Sequence, residues 1–136
     1  MGLKERRALQ SFQENDYKKL ESKIFEIANK TLEMEIDWNS LALDGMDHLY
    51  ETALPKVYFL PIITALENIC IDDMGKEAIA ESLEKIIIQN RKDNHVAEQW
   101  ATFQNKTLTL DFKPFSNIDK INERTEALQE ILENNL

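Results

Sequence analysis

The stretch ATFQNKTLTLDF alternates apolar and polar residues on both sides of a turn signal, Asn105-Lys106. Asn tolerates the left-handed backbone conformation that a tight hairpin turn requires. When the turn is placed at these two residues, Phe103 lies opposite Leu108. The pattern therefore predicts an antiparallel hairpin over residues 96–113, and it fixes the register of the two strands.

This register assigns every hairpin side chain to one of two faces. The apolar face, which we expect to pack against helices, contains Ala101, Phe103, Leu108, Leu110 and Phe112. The polar face contains Trp100, Thr102, Thr109, Asp111 and Lys113. Trp100 has two interpretations among these polar neighbours. Another helix or strand covers it, since Trp is usually largely buried, or it is an aromatic anchor of a binding surface.

Helical spacing of apolar residues predicts four or five helices. They cover residues 3–29, 47–53, 55–70 or 61–70, 74–85 and 117–134. Asn29 follows the first helix and is expected to end it in the left-handed conformation. Pro61 allows two interpretations, because a proline inside a helix kinks it and a proline in the first turn begins it.

Two further segments have the composition of strands. Glu33–Trp38 alternates, with Met34, Ile36 and Trp38 on one face, and three β-branched residues begin a strand at Ile86. The chain is thus predicted to be an α+β protein with a small, largely antiparallel sheet of about four short strands packed against four or five helices. Since no linker, repeat or low-complexity segment divides it, we expect residues 1–136 to form a single globular domain.

The compartment is predicted from what the sequence lacks. The first residues show no secretory signal, no apolar stretch is long enough to cross a membrane, and Cys70 is the only cysteine. We therefore expect a cytoplasmic protein without a membrane partner. In that compartment the Asn-Lys-Thr triplets at residues 29–31 and 105–107 are not glycosylated.

The charge is strongly acidic, with a formal net charge of −9. No Lys or Arg occurs between Lys30 and Lys56, a segment that contains Glu33, Glu35, Asp37, Asp44, Asp47 and Glu51. Binding to a phosphate backbone requires clustered basic residues, so we expect no nucleic-acid partner. A basic protein partner suits this charge better. Its predicted contact residues are Glu33, Glu35 and Asp37 together with Trp100, Thr102, Thr109 and Asp111 of the hairpin.

Residues with catalytic or ligand-binding potential are few. Three glycines in the whole chain form neither a phosphate-binding loop nor a dinucleotide fingerprint, and no cofactor is predicted. A helix over 47–53 would bring Asp44, Asp47, His48 and Glu51 onto neighbouring turns, where they are candidate metal ligands.

Two functional hypotheses follow. The sequence favours a non-enzymatic protein that acts through protein–protein contact, either by binding or inhibiting a basic partner or by self-association into a homodimer. The alternative is a small-molecule- or metal-binding domain, with or without enzymatic activity, whose site lies near Asp44, Asp47, His48 and Glu51.

Overall fold

A computed structural model describes residues 1–136, in which helices pack on one face of a four-stranded sheet. Five of the helices have ten or more residues, and the predicted α+β class is confirmed. In chain order the elements are α1 (Leu3–Glu14), α2 (Asp16–Ala28), β1 (Glu33–Ile36), α3 (Trp38–Leu41), a 3₁₀ turn (Asp47–Leu49), α4 (Tyr50–Leu54), a π-helical turn (Pro55–Phe59), α5 (Leu60–Ile69), α6 (Asp73–Ser82), β2 (Lys85–Gln89), a 3₁₀ turn (Ala97–Gln99), β3 (Ala101–Gln104), β4 (Thr107–Asp111) and α7 (Ile121–Asn135). None of the helices has both the length and the apolar content needed to traverse a bilayer.

The strand order is β1-β2-β4-β3, and the sheet is mixed. β1 pairs with β2 and β2 pairs with β4 in parallel, so only the β3–β4 pair is antiparallel. The prediction of a largely antiparallel sheet is therefore wrong. The β2–β4 pair is parallel because the hairpin places its second strand, not its first, beside β2. For the β1–β2 pair the physical reason lies in residues 37–84, which join the two strands and contain four helices. A crossover of this kind returns the chain to the same end of the sheet and makes the next strand parallel.

The predicted hairpin register is confirmed. Ala101 lies opposite Leu110 and Phe103 opposite Leu108. Asn105 and Lys106 both have positive φ, at 52° and 60°, which is the geometry of a type I′ turn. Lys106 adopts this conformation without the freedom of a glycine, so its backbone is strained.

Replacing Lys106 with Gly is expected to raise the free energy of unfolding by about 0.5–1 kcal/mol, because it removes the strain of positive φ and yields the favoured Asn-Gly turn. The side chain contributes little, since its 3.5 Å ion pair with Glu84 is solvent-exposed. Urea denaturation measures the change. Lys106→Ala removes the same side chain but keeps the strain, and a gain of equal size in that variant would contradict the explanation.

The predicted helix over residues 3–29 is instead two helices, separated at Asn15, whose φ of −112° and ψ of −83° lie outside the helical region. In an unbroken helix, Phe12 and Tyr17 would point about 140° apart. The break lets both rings reach Phe59, at centroid distances of 6.2 and 5.6 Å. Asn29 ends α2 with a φ of 56°, as predicted.

Trp38 is not part of the first strand, which ends at Ile36. It begins α3 and packs edge-on against Phe12 and Tyr17, with centroid distances of 6.0 and 5.0 Å. Trp38 thus belongs to an aromatic cluster with Phe12, Tyr17 and Phe59 and not to the strand.

Residues 50–69 form one continuous helical stretch in which Pro61 is accommodated by the π-helical turn, so the alternative in which the helix continues through Pro61 is the one observed. Proline has no N–H, so residue 61 donates neither to Val57 O nor to Lys56 O. The buried Arg124 side chain supplies these bonds, from Nε to Val57 O at 3.1 Å and from Nη2 to Lys56 O at 3.2 Å.

α5 and α7 run parallel to each other across the sheet. Arg124, near the start of α7, meets the turn before α5, and farther along Asn68 donates to Gln129 at 3.0 Å. α7 begins at Ile121 rather than at residue 117, because Asn117 adopts a φ of 52°. The two helices consequently end at the same end of the molecule.

The turn from α5 into α6 is capped by Asp72. The Asp72 carboxylate accepts a hydrogen bond of 2.8 Å from the N–H of Gly75. Met74 points into solvent, whereas Ile79 and Leu83 are buried. The core-facing stripe of α6 therefore begins after its first turn.

Candidate protein-binding surface

The helices cover only one face of the sheet. Side chains alternate between full burial and partial exposure along β2 and β4, with Ile86, Ile88, Leu108 and Leu110 completely buried. The residues between them point to the side without helices. We call this side the open sheet face, and it consists of Glu33, Glu35, Lys85, Ile87, Thr102, Gln104, Thr107 and Thr109.

The strand register arranges these side chains in two rows. One row crosses the sheet as Glu33, Lys85, Thr107 and Gln104. The other crosses it as Glu35, Ile87, Thr109 and Thr102. Four residues that the sequence predicts as contact residues, Glu33, Glu35, Thr102 and Thr109, are thus brought onto one surface.

The charges of this surface are concentrated at its β1 edge. Lys85 Nζ lies 3.2 Å from Glu35 Oε1 and 3.8 Å from Glu33 Oε2. The hydrogen bond with Glu35 raises the pKa of Lys85 above its ordinary value, and the nearby carboxylates add to this effect against the opposing effect of burial. One lysine faces two carboxylates, so this edge retains a net negative charge.

Asp37 lies just beyond the end of β1, and its N–H donates to Ile88 O at 2.9 Å. Its carboxylate is 3.4 Å from Nη2 of Arg91, and both side chains are partly exposed. Asp37 therefore borders the open sheet face but is already paired with a basic residue of its own chain.

Trp100 does not belong to the open sheet face. Its backbone, at φ −86° and ψ −23°, is helical because it ends the 3₁₀ turn, so the alternation of β3 begins only at Ala101. The indole is 1% exposed, contacts Phe112 edge-on at 5.9 Å and donates from Nε1 to Arg124 O at 3.1 Å. Of the two interpretations of Trp100, the covered one is observed, and α7 provides the cover.

Asp111 also lies outside this surface, although its predicted face is correct. Its carboxylate is buried because the loop after β2 folds over it. Oδ1 accepts hydrogen bonds from the N–H groups of Arg91 and Lys92 at 3.0 and 3.1 Å, and Oδ2 accepts one from Gln89 Nε2 at 3.1 Å. Asp111 therefore holds the loop in place and is not available to a partner.

The candidate metal ligands do not converge. Asp47 pairs with Lys4 at 3.7 Å, while Asp44, His48 and Glu51 are exposed on the turns around it. No group of three or more His, Cys, Asp or Glu side chains in the protein is arranged to hold a metal ion. The region is an acidic turn beside α1 in which the Asp47 side chain is largely covered and the other three are exposed.

Lys85 and Ile87 form the centre of the open sheet face, and the sequence pattern did not predict them. Three consecutive isoleucines, Ile86 to Ile88, conceal the period of two that would identify a half-exposed strand. Their neighbours Lys85 and Gln89 are the only polar residues that reveal which side faces solvent.

Comparison of the chain with known protein families, with curated proteins and with solved structures found no match.

Proposed function

We propose that this protein is a non-enzymatic binding module that contacts a basic protein partner through the open sheet face. The observation that carries the proposal is a four-stranded sheet whose second face has no covering helix. That face has a half-buried isoleucine, Ile87, at its centre and two exposed carboxylates at one edge, with Glu33 and Glu35 side chains 70% and 61% exposed. An apolar centre with a polar rim is the usual composition of a protein interface.

The chemistry of the surface selects a cationic partner. Lys or Arg from a partner would reach Glu33 and Glu35 at the sheet edge, where Lys85 neutralises only part of the charge. The net charge of −9 attracts such a partner over a longer range and speeds encounter at low salt. The threonine hydroxyls of β3 and β4 add hydrogen-bonding groups on short, rigid side chains.

Charge reversal at the sheet edge tests the proposal. Affinity-tagged wild-type protein is used to capture partners at low and at high salt, and captured proteins are identified by mass spectrometry and remixed in purified form. Glu33→Lys/Glu35→Lys is expected to weaken the purified complex by about tenfold or more. The wild-type complex is expected to weaken as salt rises.

A matched control separates local contact from overall charge. Glu123→Lys/Glu126→Lys changes the net charge by the same amount on exposed positions of α7, away from the sheet. Equal weakening by both double variants, or no partner retained at low salt, would contradict binding at the open sheet face. A dimer seen by light scattering and lost in Glu33→Lys/Glu35→Lys would assign the face to self-association instead.

A further inference from the structure

The turn before α6 and the first turn of that helix carry the two most exposed large apolar side chains of the protein. Ile71 and Met74 are each 81% exposed, and the other exposed apolar side chains reach at most 53%. They border an open groove of about 370 Å³ whose apolar lining also includes Ile69, Ala78 and Leu136. We call this the helix-end groove. None of its lining residues belongs to the sheet, so it is separate from the open sheet face.

The ends of two parallel helices make this groove electronegative. Asn68 and Ile69 end α5, Glu133 and Leu136 lie at the end of α7, and all four line the groove. A helix C-terminus carries a partial negative charge of about half an elementary charge. Neither helix has a basic residue in its last turn to offset that charge.

The side chains around the groove add to the negative potential. Asp72 and Glu133 line it, and no basic residue does. The N-terminus of α6 would contribute positive charge, but Asp72 caps it and Asp73 follows in its first turn. Lys76, which follows Gly75 in α6, does not line the groove.

We infer that the helix-end groove binds a partner segment that inserts an apolar side chain between Ile71 and Met74 and places Lys or Arg beside the ends of α5 and α7. The apolar side chains provide a site that loses water on binding, and the carboxylates and helix ends select the flanking cations. A second copy of this chain does not fit face to face, because two electronegative grooves would repel each other. The inference does not depend on the open sheet face.

A synthetic peptide tests the chemistry directly. The probe is a fluorescein-labelled amphipathic helix of about 18 residues, or five turns, with leucines on one face and lysines on the other. Fluorescence anisotropy is expected to show saturable binding to the wild-type protein that weakens with salt. A peptide with Glu in place of Lys, and one with Ser in place of Leu, are both expected to bind at least about tenfold more weakly.

Variants of the protein locate the site. Ile71→Ser/Met74→Ser is expected to weaken binding of the Leu/Lys peptide by about tenfold or more, since both side chains would be buried by it. Both positions are exposed, so the variant keeps its fold, which circular dichroism verifies. Leu3→Ser/Leu43→Ser removes two other exposed leucines, 53% and 41% exposed, and is expected to leave binding unchanged.

Several results would overturn the inference. These are absence of saturable binding, equal binding of the Leu/Glu peptide, and an unchanged affinity of Ile71→Ser/Met74→Ser. Loss of peptide binding in Glu33→Lys/Glu35→Lys but not in the groove variant would place the peptide on the open sheet face. A dimer of the wild-type protein in light scattering that disappears in the groove variant would assign the groove to a second copy.

Discussion

The Arg124→Met variant is expected to lose about 3–5 kcal/mol of unfolding free energy, a large fraction of the stability of a domain of this size. Arg124 is 1% exposed and forms no salt bridge. Its partners are four backbone carbonyl oxygens, and its guanidinium carbon lies 5.2 Å from the centre of the Phe112 ring. Methionine fills a similar volume but donates no hydrogen bond.

The loss is large because one buried side chain donates to four backbone carbonyls, although Asn117 O also accepts from the N–H of Lys120 at 3.0 Å. Pro61 leaves Val57 O and Lys56 O without the hydrogen bond from residue 61, and Arg124 replaces it. The same guanidinium holds Asn117 O at 2.7 Å and Ile118 O at 2.9 Å, so it also fixes the chain before α7. Each buried carbonyl left without a donor is destabilising by about 1–3 kcal/mol.

Urea denaturation followed by circular dichroism measures this effect against two controls. Arg91→Met, at an exposed ion pair, is expected to change stability by about 0.5 kcal/mol or less. Arg124→Lys keeps the charge but lacks the planar array of donors, so an intermediate loss is expected. If Arg124→Met were no worse than Arg91→Met, the carbonyl contacts would not stabilise the fold.

A second substitution tests the link with the proline. Pro61→Ala supplies the missing N–H, so it is expected to recover part of the stability lost in Arg124→Met. The double-mutant cycle should give a coupling of about 1 kcal/mol between these positions. Strictly additive effects would show that Arg124 stabilises the protein independently of Pro61.

The elements predicted best from the sequence are those that local rules determine. The turn at Asn105-Lys106 fixed the hairpin register, and Asn29 ended its helix in the left-handed conformation as expected. The parallel strands could not be predicted in the same way. The β1–β2 pairing depends on how the helices of residues 37–84 cross the sheet, and the β2–β4 pairing depends on which strand of the hairpin lies beside β2. No local pattern contains that information.

The candidate surface was predicted in part for the same reason. Period-two alternation placed Glu33, Glu35, Thr102 and Thr109 on solvent-facing positions, and the structure brings these positions onto one face. The prediction that Trp100 lies on the same face as Thr102 and Thr109 was wrong, because the 3₁₀ turn before β3 breaks the alternation. That break depends on the backbone conformation of a single residue. The helix-end groove depends on two helices ending together, a tertiary relation that neither helix sequence reveals.

Gly75→Ala is expected to lose about 3 kcal/mol of unfolding free energy, although the same exchange in an ordinary helix gains about 1 kcal/mol. Gly75 lies in the first turn of α6, where that turn meets the end of α5. A Cβ atom there would lie 1.7 Å from Ile69 O and 2.7 Å from Ile69 C, both backbone atoms. The clash can be relieved only by separating the two helices, because both atoms closer than 3 Å belong to the backbone.

The three glycines of the chain make a graded series for urea denaturation. At Gly2 a new Cβ would meet only the end of the Glu5 side chain, at 3.6 Å, so Gly2→Ala is expected to be nearly neutral. At Gly45 the space is open but φ is +79°, so alanine there is expected to lose about 1 kcal/mol through backbone strain. The loss of stability in Gly75→Ala should exceed both of these losses. The same variant should also weaken binding of the Leu/Lys peptide, because moving α6 away from α5 separates Met74 from Ile69 across the helix-end groove. A gain in stability for Gly75→Ala would show that helix propensity, and not the close approach of α5 and α6, governs this position.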